Sequence, residues 1–89
     1  MSAEGGAVPL ELERVVTEIF QSLGPASLTQ RACEITSLVL QGHSSESIGQ
    51  HLHISAGTVK IHRKNAYRKL GIASQSQLFS LFLTAFRRR

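Results

Sequence analysis

The chain has 89 residues, 42% apolar and 18% charged, enough for one small core but not for a multidomain enzyme. Its single cysteine, Cys33, excludes a disulfide framework or a four-cysteine zinc site within one copy and points to a reducing, cytoplasmic compartment. The net charge of +4 hides an asymmetry: all six acids fall at or before Glu46, opposed there by Arg14 and Arg31, whereas every other Lys and Arg follows Glu46, so the first part carries −4 and the second +8.

A basic half without counter-charges suits a polyanion, either nucleic acid or an anionic membrane surface, and charge alone does not choose between them. No apolar stretch approaches the ~18 residues of a membrane crossing, and the first nine residues lack the basic-then-apolar pattern of a secretory leader. Met1 to Ala7 is Gly-rich and polar and reads as disorder or an expression scar. Apolar residues then recur at Leu12, Val15, Val16, Ile19, Phe20 and Leu23, the spacing of an amphipathic helix from Pro9 to Leu23. Gly24, Pro25, Ala26 and Ser27 end it and form a linker.

A second helix is predicted to begin at Thr29, whose hydroxyl can cap it, with Leu28 stapled onto Cys33 and a buried stripe continuing through Ile35, Leu38 and Val39 to Gly42. Ser44 caps a short third helix through Ile48 to Leu52, and His53 and Ile54 make a tight turn before the next cap, Ser55. Two helices joined so closely must cross steeply. The fourth helix runs from Ser55 to Leu70 and stops at Gly71.

At 100° per residue, Lys60, Ile61, Lys64 and Arg68 lie within about 60° of Gly57, forming one basic face. Val59, Ala66 and Leu70 occupy the opposite side, with Arg63 and Tyr67 along one edge and Thr58, His62, Asn65 and Lys69 along the other. Ser74 and Gln77 form a capping box for a last helix reaching about Phe86. Its apolar residues sweep an arc of about 200°, twice what one core-facing side needs, which implies a second apolar partner.

These elements carry a family resemblance. Leu28-Thr29-x-Arg31, Glu34-Ile35, Gly42-x-Ser44, Ile48, Leu52-x-Ile54-Ser55, Thr58-Val59-Lys60-x-His62 and Tyr67-x-Lys69-Leu70-Gly71 together resemble the LuxR-type helix-turn-helix domain, the DNA-binding output module of bacterial quorum-sensing regulators and of NarL- and FixJ-type response regulators. The likeness runs from about Ser27 to Phe86. It implies an all-α fold, a four-helix helix-turn-helix bundle preceded by an N-terminal linker helix. The divisions expected are a tail and linker helix over 1–27, the DNA-binding domain over 28–86 and a basic tail over 87–89, the tail being a disordered, diffuse seeker of phosphates.

The resemblance also implies roles. Ser44 to Leu52 would be the positioning helix and Ser55 to Leu70 the recognition helix, lying in the major groove of double-stranded DNA in the bacterial nucleoid. Lys60, Ile61 and Lys64 match the positions that meet base edges: lysine donates to guanine, and Ile61 touches a thymine methyl. Thr58 and His62 match backbone contacts, and Arg63, Arg68, Ser55 and Gly57 complete the expected DNA surface. The family's last helix dimerises, which assigns Phe79, Leu83 and Phe86 to a homodimer on a pseudo-palindromic site. Members usually carry an upstream sensory domain, so the chain is expected to be a piece of a longer regulator in preference to a single-domain one.

Four departures stand out. Ala32 and Ser47 replace the Glu usual in the family, so two capping boxes lose their reciprocal half, at a cost of about 1 kcal/mol or less each. Gln75 replaces a frequent Arg, and Gly57 shrinks the recognition surface and favours close backbone approach.

Other chemistry has less support. His43, His51 and His53 lack metal-ligand spacing, and Cys33 falls on a buried helical face, as a core residue more than a redox sensor. The chain has no Asp, its Glu residues stand away from the histidines, and no nucleophile setting is visible, so neither catalysis nor a cofactor is expected. Two rivals remain. One is a membrane-surface module with Leu78 to Phe86 in the interface; the other is a protein-interaction module docking an acidic surface on the Lys60 to Lys69 face.

Overall fold

The computed structural model describes residues 7–22 and 27–88, with side chains from Leu12 onward. Five helices follow one another with no strand among the described residues: α1 (Ala7–Phe20), α2 (Gln30–Leu40), α3 (Ser45–Leu52), α4 (Ala56–Leu70) and α5 (Gln75–Arg87). The all-α expectation holds.

Each predicted cap is made. The hydroxyls of Thr29, Ser44, Ser55 and Ser74 accept from the amides of Ala32, Ser47, Thr58 and Gln77 at 3.1–3.2 Å, satisfying donors the first helical turn leaves without a partner. The box at α5 closes differently from the expected pattern. The Gln77 side chain reaches one residue further back and accepts from the Ala73 amide, not from that of Ser74. At position 47 the missing carboxylate is replaced by another bond, Ser47 Oγ lying 2.7 Å from His43 Nδ1. Ala32 is 8% exposed and belongs to the core, so there the capping function has given way to packing.

Helix ends follow local geometry. Gly42 (φ 92°) ends α2 with its amide on Val39 O and the next, His43 N, on Leu38 O; Gly71 (φ 73°) repeats the pattern, its amide on Arg68 O and that of Ile72 on Tyr67 O. These left-handed caps return the last carbonyls to a donor where a side chain would strain the backbone.

Three boundaries differ from the sequence expectation. α1 starts at Ala7, inside the supposed tail, because Pro9 in the first turn removes only an N–H that has no intrahelical acceptor. It stops at Phe20, where Ser22 folds back to donate its hydroxyl to Ile19 O. Leu23 to Ala26, the expected end of that helix and most of the linker, lie outside the described residues. At the other end, Arg87 is the last residue of α5, and Arg88 caps it with its amide on Ala85 O and Phe86 O, so the helix runs one residue into the expected tail. Cations suit that end because the helix dipole is negative there.

One core joins all five helices. Val16, Ile19 and Phe20 of α1 meet Cys33, Ile35 and Val39 of α2, Ile48 of α3, Val59 and Ala66 of α4 and Leu78 of α5, with Leu28 packed in just before α2. Each large side chain fully withdrawn from water contributes roughly 1.5–3 kcal/mol. Burial, with Glu34 beside it, pushes the Cys33 thiol up, which keeps it neutral as a small core filler. The surplus apolar arc of α5 is partly covered within the chain. Phe82 tilts against Phe20 of α1 at 6.5 Å between ring centroids, and Leu81 and Ala85 pack on the core, which leaves Phe79, Leu83 and Phe86 exposed.

Candidate nucleic-acid interface

The turn between α3 and α4 sets how α4 is presented. His53 adopts the left-handed conformation (φ 60°, ψ 43°), and the Ile54 amide bonds Gly49 O at 3.0 Å, closing α3 so that Ser55 can cap α4 two residues later. Gly49 makes the close approach possible: a Cβ there would lie 2.5 Å from Ile54 O. The chain passes from one helix to the next within three residues.

With Val59 and Ala66 pressed into the core, the 100° step turns the opposite face of α4 to solvent. Gly57, Thr58, Lys60, Ile61, Lys64 and Arg68 are all exposed, Ile61 at 61%. Among the described residues none of Lys60, Lys64 or Arg68 has an acidic partner, whereas on α2 Arg31 pairs with Glu34 at 3.5 Å. An exposed cationic face of this kind keeps its field for an incoming anion.

The two edges of α4 face different helices. On one, Lys60, Arg63, Lys64 and Arg68 line an open groove of about 600 Å³ together with Ser45 at the start of α3 and Tyr67. Four cations and no carboxylate line it. On the other edge, half-buried His62 and exposed Asn65 and Lys69 border a second depression of about 410 Å³ against Ala32 of α2 and its cap Thr29. Lys69 Nζ donates to Ser27 O at 2.8 Å and ties the end of α4 to the segment before α2.

Not every expected site residue is free to reach outward. Ser55 Oγ and Thr58 Oγ1 lie 2.9 Å apart, so both hydroxyls are engaged in the cap while remaining exposed. Arg63 is half-buried and points sideways: its guanidinium donates to Ser45 Oγ and to Tyr67 Oη, both at 3.2 Å, and lies 5.8 Å from the centre of the Tyr67 ring. Gly57 has nothing closer than Ser55 Oγ at 3.8 Å to meet an added Cβ, so the surface there is open. Ser45 and Tyr67 join the site without any signal in the sequence that assigns them to it. Helical periodicity puts Tyr67 at an edge of α4, but nothing in it pairs position 63 with position 45.

His43 and His51 are brought into edge contact at 4.8 Å between ring centroids, a pairing their separation in sequence does not announce. Among the described residues no three His, Cys, Asp or Glu side chains are grouped to hold a metal ion, and no helix is long and apolar enough to cross a membrane. On α5, Phe79, Leu83 and Phe86 follow one another along one edge of the helix at 37%, 50% and 46% exposure, with Phe86 stacked on Phe82 at 5.9 Å.

Comparison with known proteins agrees with this arrangement. The family model described as "Bacterial regulatory proteins, luxR family" matches residues 26–82. A curated relative, the "Putative HTH-type transcriptional regulator in exeN 3'region" of Aeromonas salmonicida, is 43% identical over 72 residues, 81% of this chain. The matched segment spans 37% of that relative's length. No solved structure matches the chain at a significant level. With a basic, solvent-facing second helix of a helix-turn-helix and a family match over most of the chain, the protein belongs to the LuxR family of bacterial regulatory proteins, a DNA-binding and non-enzymatic family.

Proposed function

We propose that the chain binds duplex DNA by laying α4 in the major groove, one chain per half-site of a pseudo-palindromic sequence. The observation that carries this reading is the exposed, acid-free face of α4, where Lys60 and Lys64 flank a 61%-exposed Ile61 directly opposite the core-bound Val59 and Ala66. Lysine ammonium groups donate to guanine O6 and N7, and the isoleucine side chain covers a thymine methyl, so these three residues read bases. Thr58, His62, Arg68, Ser55 and the backbone at Gly57 fix the register through sugar and phosphate. Arg87 and Arg88 add cationic charge at the end of α5.

A homodimer forms through the stripe of Phe79, Leu83 and Phe86, and the two recognition helices then reach successive major grooves. Domain organisation follows the same reading, with residues 28–86 as the DNA-binding unit, α1 leading into it, and an upstream sensory domain in the longer regulator, acting in the cytoplasm. The relative's greater length accords with a further domain.

The test is fluorescence anisotropy of pooled random duplex DNA with the wild type and a Lys60→Ala/Lys64→Ala double variant across a salt series. Binding that weakens steeply with salt is the expected outcome, with a slope shallower in the variant by up to roughly one unit per lysine removed, because on unselected duplexes, without matching bases, both ammonium groups rest on phosphate. A wild-type chain that leaves the duplex free at low salt while sedimenting with anionic vesicles would replace this reading with the membrane-surface one.

A further inference from the structure

We propose that Arg63 is a positioning residue, one that clamps the recognition helix to the start of α3 and so sets sequence discrimination without itself meeting the DNA; the inference rests on the DNA-binding reading above. With Gly57 as the outward direction, Arg63 lies about 120° round the helix, twice as far as Lys60 and on the flank of Val59 and Leu70. Its guanidinium is accordingly half-buried and spends two of its donors inside the protein, on Ser45 Oγ and Tyr67 Oη at 3.2 Å each.

Ser45 explains why this bond has more weight than an ordinary surface contact. It is 6% exposed, and Arg63 is the partner its side chain has in the structure. A buried hydroxyl left without a partner costs free energy, so the pair is favoured as a unit. The bond joins α3 to α4 between side chains eighteen positions apart in the chain.

The geometry is that of a two-point mount. At the end of α3, Gly49, His53 and Ile54 hold the turn into α4; at its start, Ser45 holds the middle of α4 through Arg63. Tyr67, one turn further along α4, receives the same guanidinium through its hydroxyl and faces it with its ring. A planar guanidinium can satisfy Ser45 and Tyr67 together, whereas the single ammonium of lysine matches that fork poorly. Base readout tolerates displacements of only about 0.5 Å and 10–20°, while attraction to phosphate is far less directional. Loosening the mount is therefore expected to reduce discrimination and leave non-specific binding in place.

The experiment selects duplexes from a randomised pool with the wild type, then titrates the tightest one and the unselected pool with wild type, Ser45→Ala, Arg63→Lys and the double variant. Both single variants keep the net charge. Each is expected to lower the affinity ratio of selected duplex to pool about tenfold, at the low end of what one bidentate base pairing supplies. The double variant should do no worse than either alone, and the salt slope on the pool should not change. Tyr67→Phe, which retains the ring and removes one acceptor, should lower the ratio in the same direction and serves if a bolder variant unfolds on heating. A ratio preserved in Arg63→Lys and Ser45→Ala, or an equal loss on both DNAs, would overturn the assignment of Arg63 while leaving the regulator reading intact. If the wild type selected no duplex, the regulator reading itself would fall, and the clamp would be a fold contact only.

Discussion

Two residues show how position in the fold decides what a side chain can do. Cys33 has the chemistry of a nucleophile, but it is fully buried among apolar side chains, and that burial pushes its thiol up from the ordinary value. The native state thus holds a proton that the unfolded chain releases more readily. The stability this contributes is complete below the unfolded thiol's ordinary value of about 8.5 and is lost as pH rises through the raised native one. Urea midpoints should therefore fall more steeply on the alkaline side for the wild type than for Cys33→Ala, even though the alanine chain is weaker at neutral pH. Gly49 is decided by space. Because a Cβ at 49 already meets Ile54 O at 2.5 Å, Gly49→Val has no room without moving the turn and should cost about 1–3 kcal/mol by urea unfolding. The companion Gly57→Val, at an open and exposed position, should cost little by comparison.

Among the helices, α5 divides its apolar arc between two tasks. Leu78 enters the core with no exposure, Phe82 is covered by Phe20 of α1, and the edge through Phe79, Leu83 and Phe86 is left to solvent. The arc width read from the sequence implies a second partner; the fold supplies part of it from α1, a source the wheel of one helix has no means to reveal. What remains is a narrow stripe with the i, i+4, i+7 spacing of a helix seam. For the proposed homodimer, Leu83→Glu should abolish association in sedimentation velocity and weaken binding to a two-half-site duplex at least tenfold, with binding to one half-site nearly unchanged. An unchanged sedimentation profile would mean that the chains associate elsewhere or not at all. α4 shows the opposite case, since its exposed face is fully legible: Val59 and Ala66 dock, and the residues about 180° away must then face water. Less legible is which helix each edge of α4 meets, Ser45 of α3 for Arg63 and the start of α2 for His62 and Lys69.

Taken whole, the molecule depends on α1 more than a linker would suggest. Val16 and Phe20 are fully buried, and the Leu28 amide bonds Phe20 O at 2.8 Å across the segment between α1 and α2. Phe20→Ala should therefore cost about 3–5 kcal/mol in a denaturant series, a core-sized loss that an independent linker helix would not produce. By itself the sequence already specifies its run of helices, their caps, the glycine stops at Gly42 and Gly71, and which face of α4 points away from the core. Each of these is written within a span of a few residues, where a hydroxyl reaches an amide three positions on or a stripe repeats every three to four. Packing between helices was needed to show that Arg63 holds Ser45 eighteen positions away, that Lys69 ties back to Ser27, and that Phe20 roofs part of α5. Those contacts depend on how helices cross, and crossing is set by the packing of the whole core, which no single helix's periodicity contains.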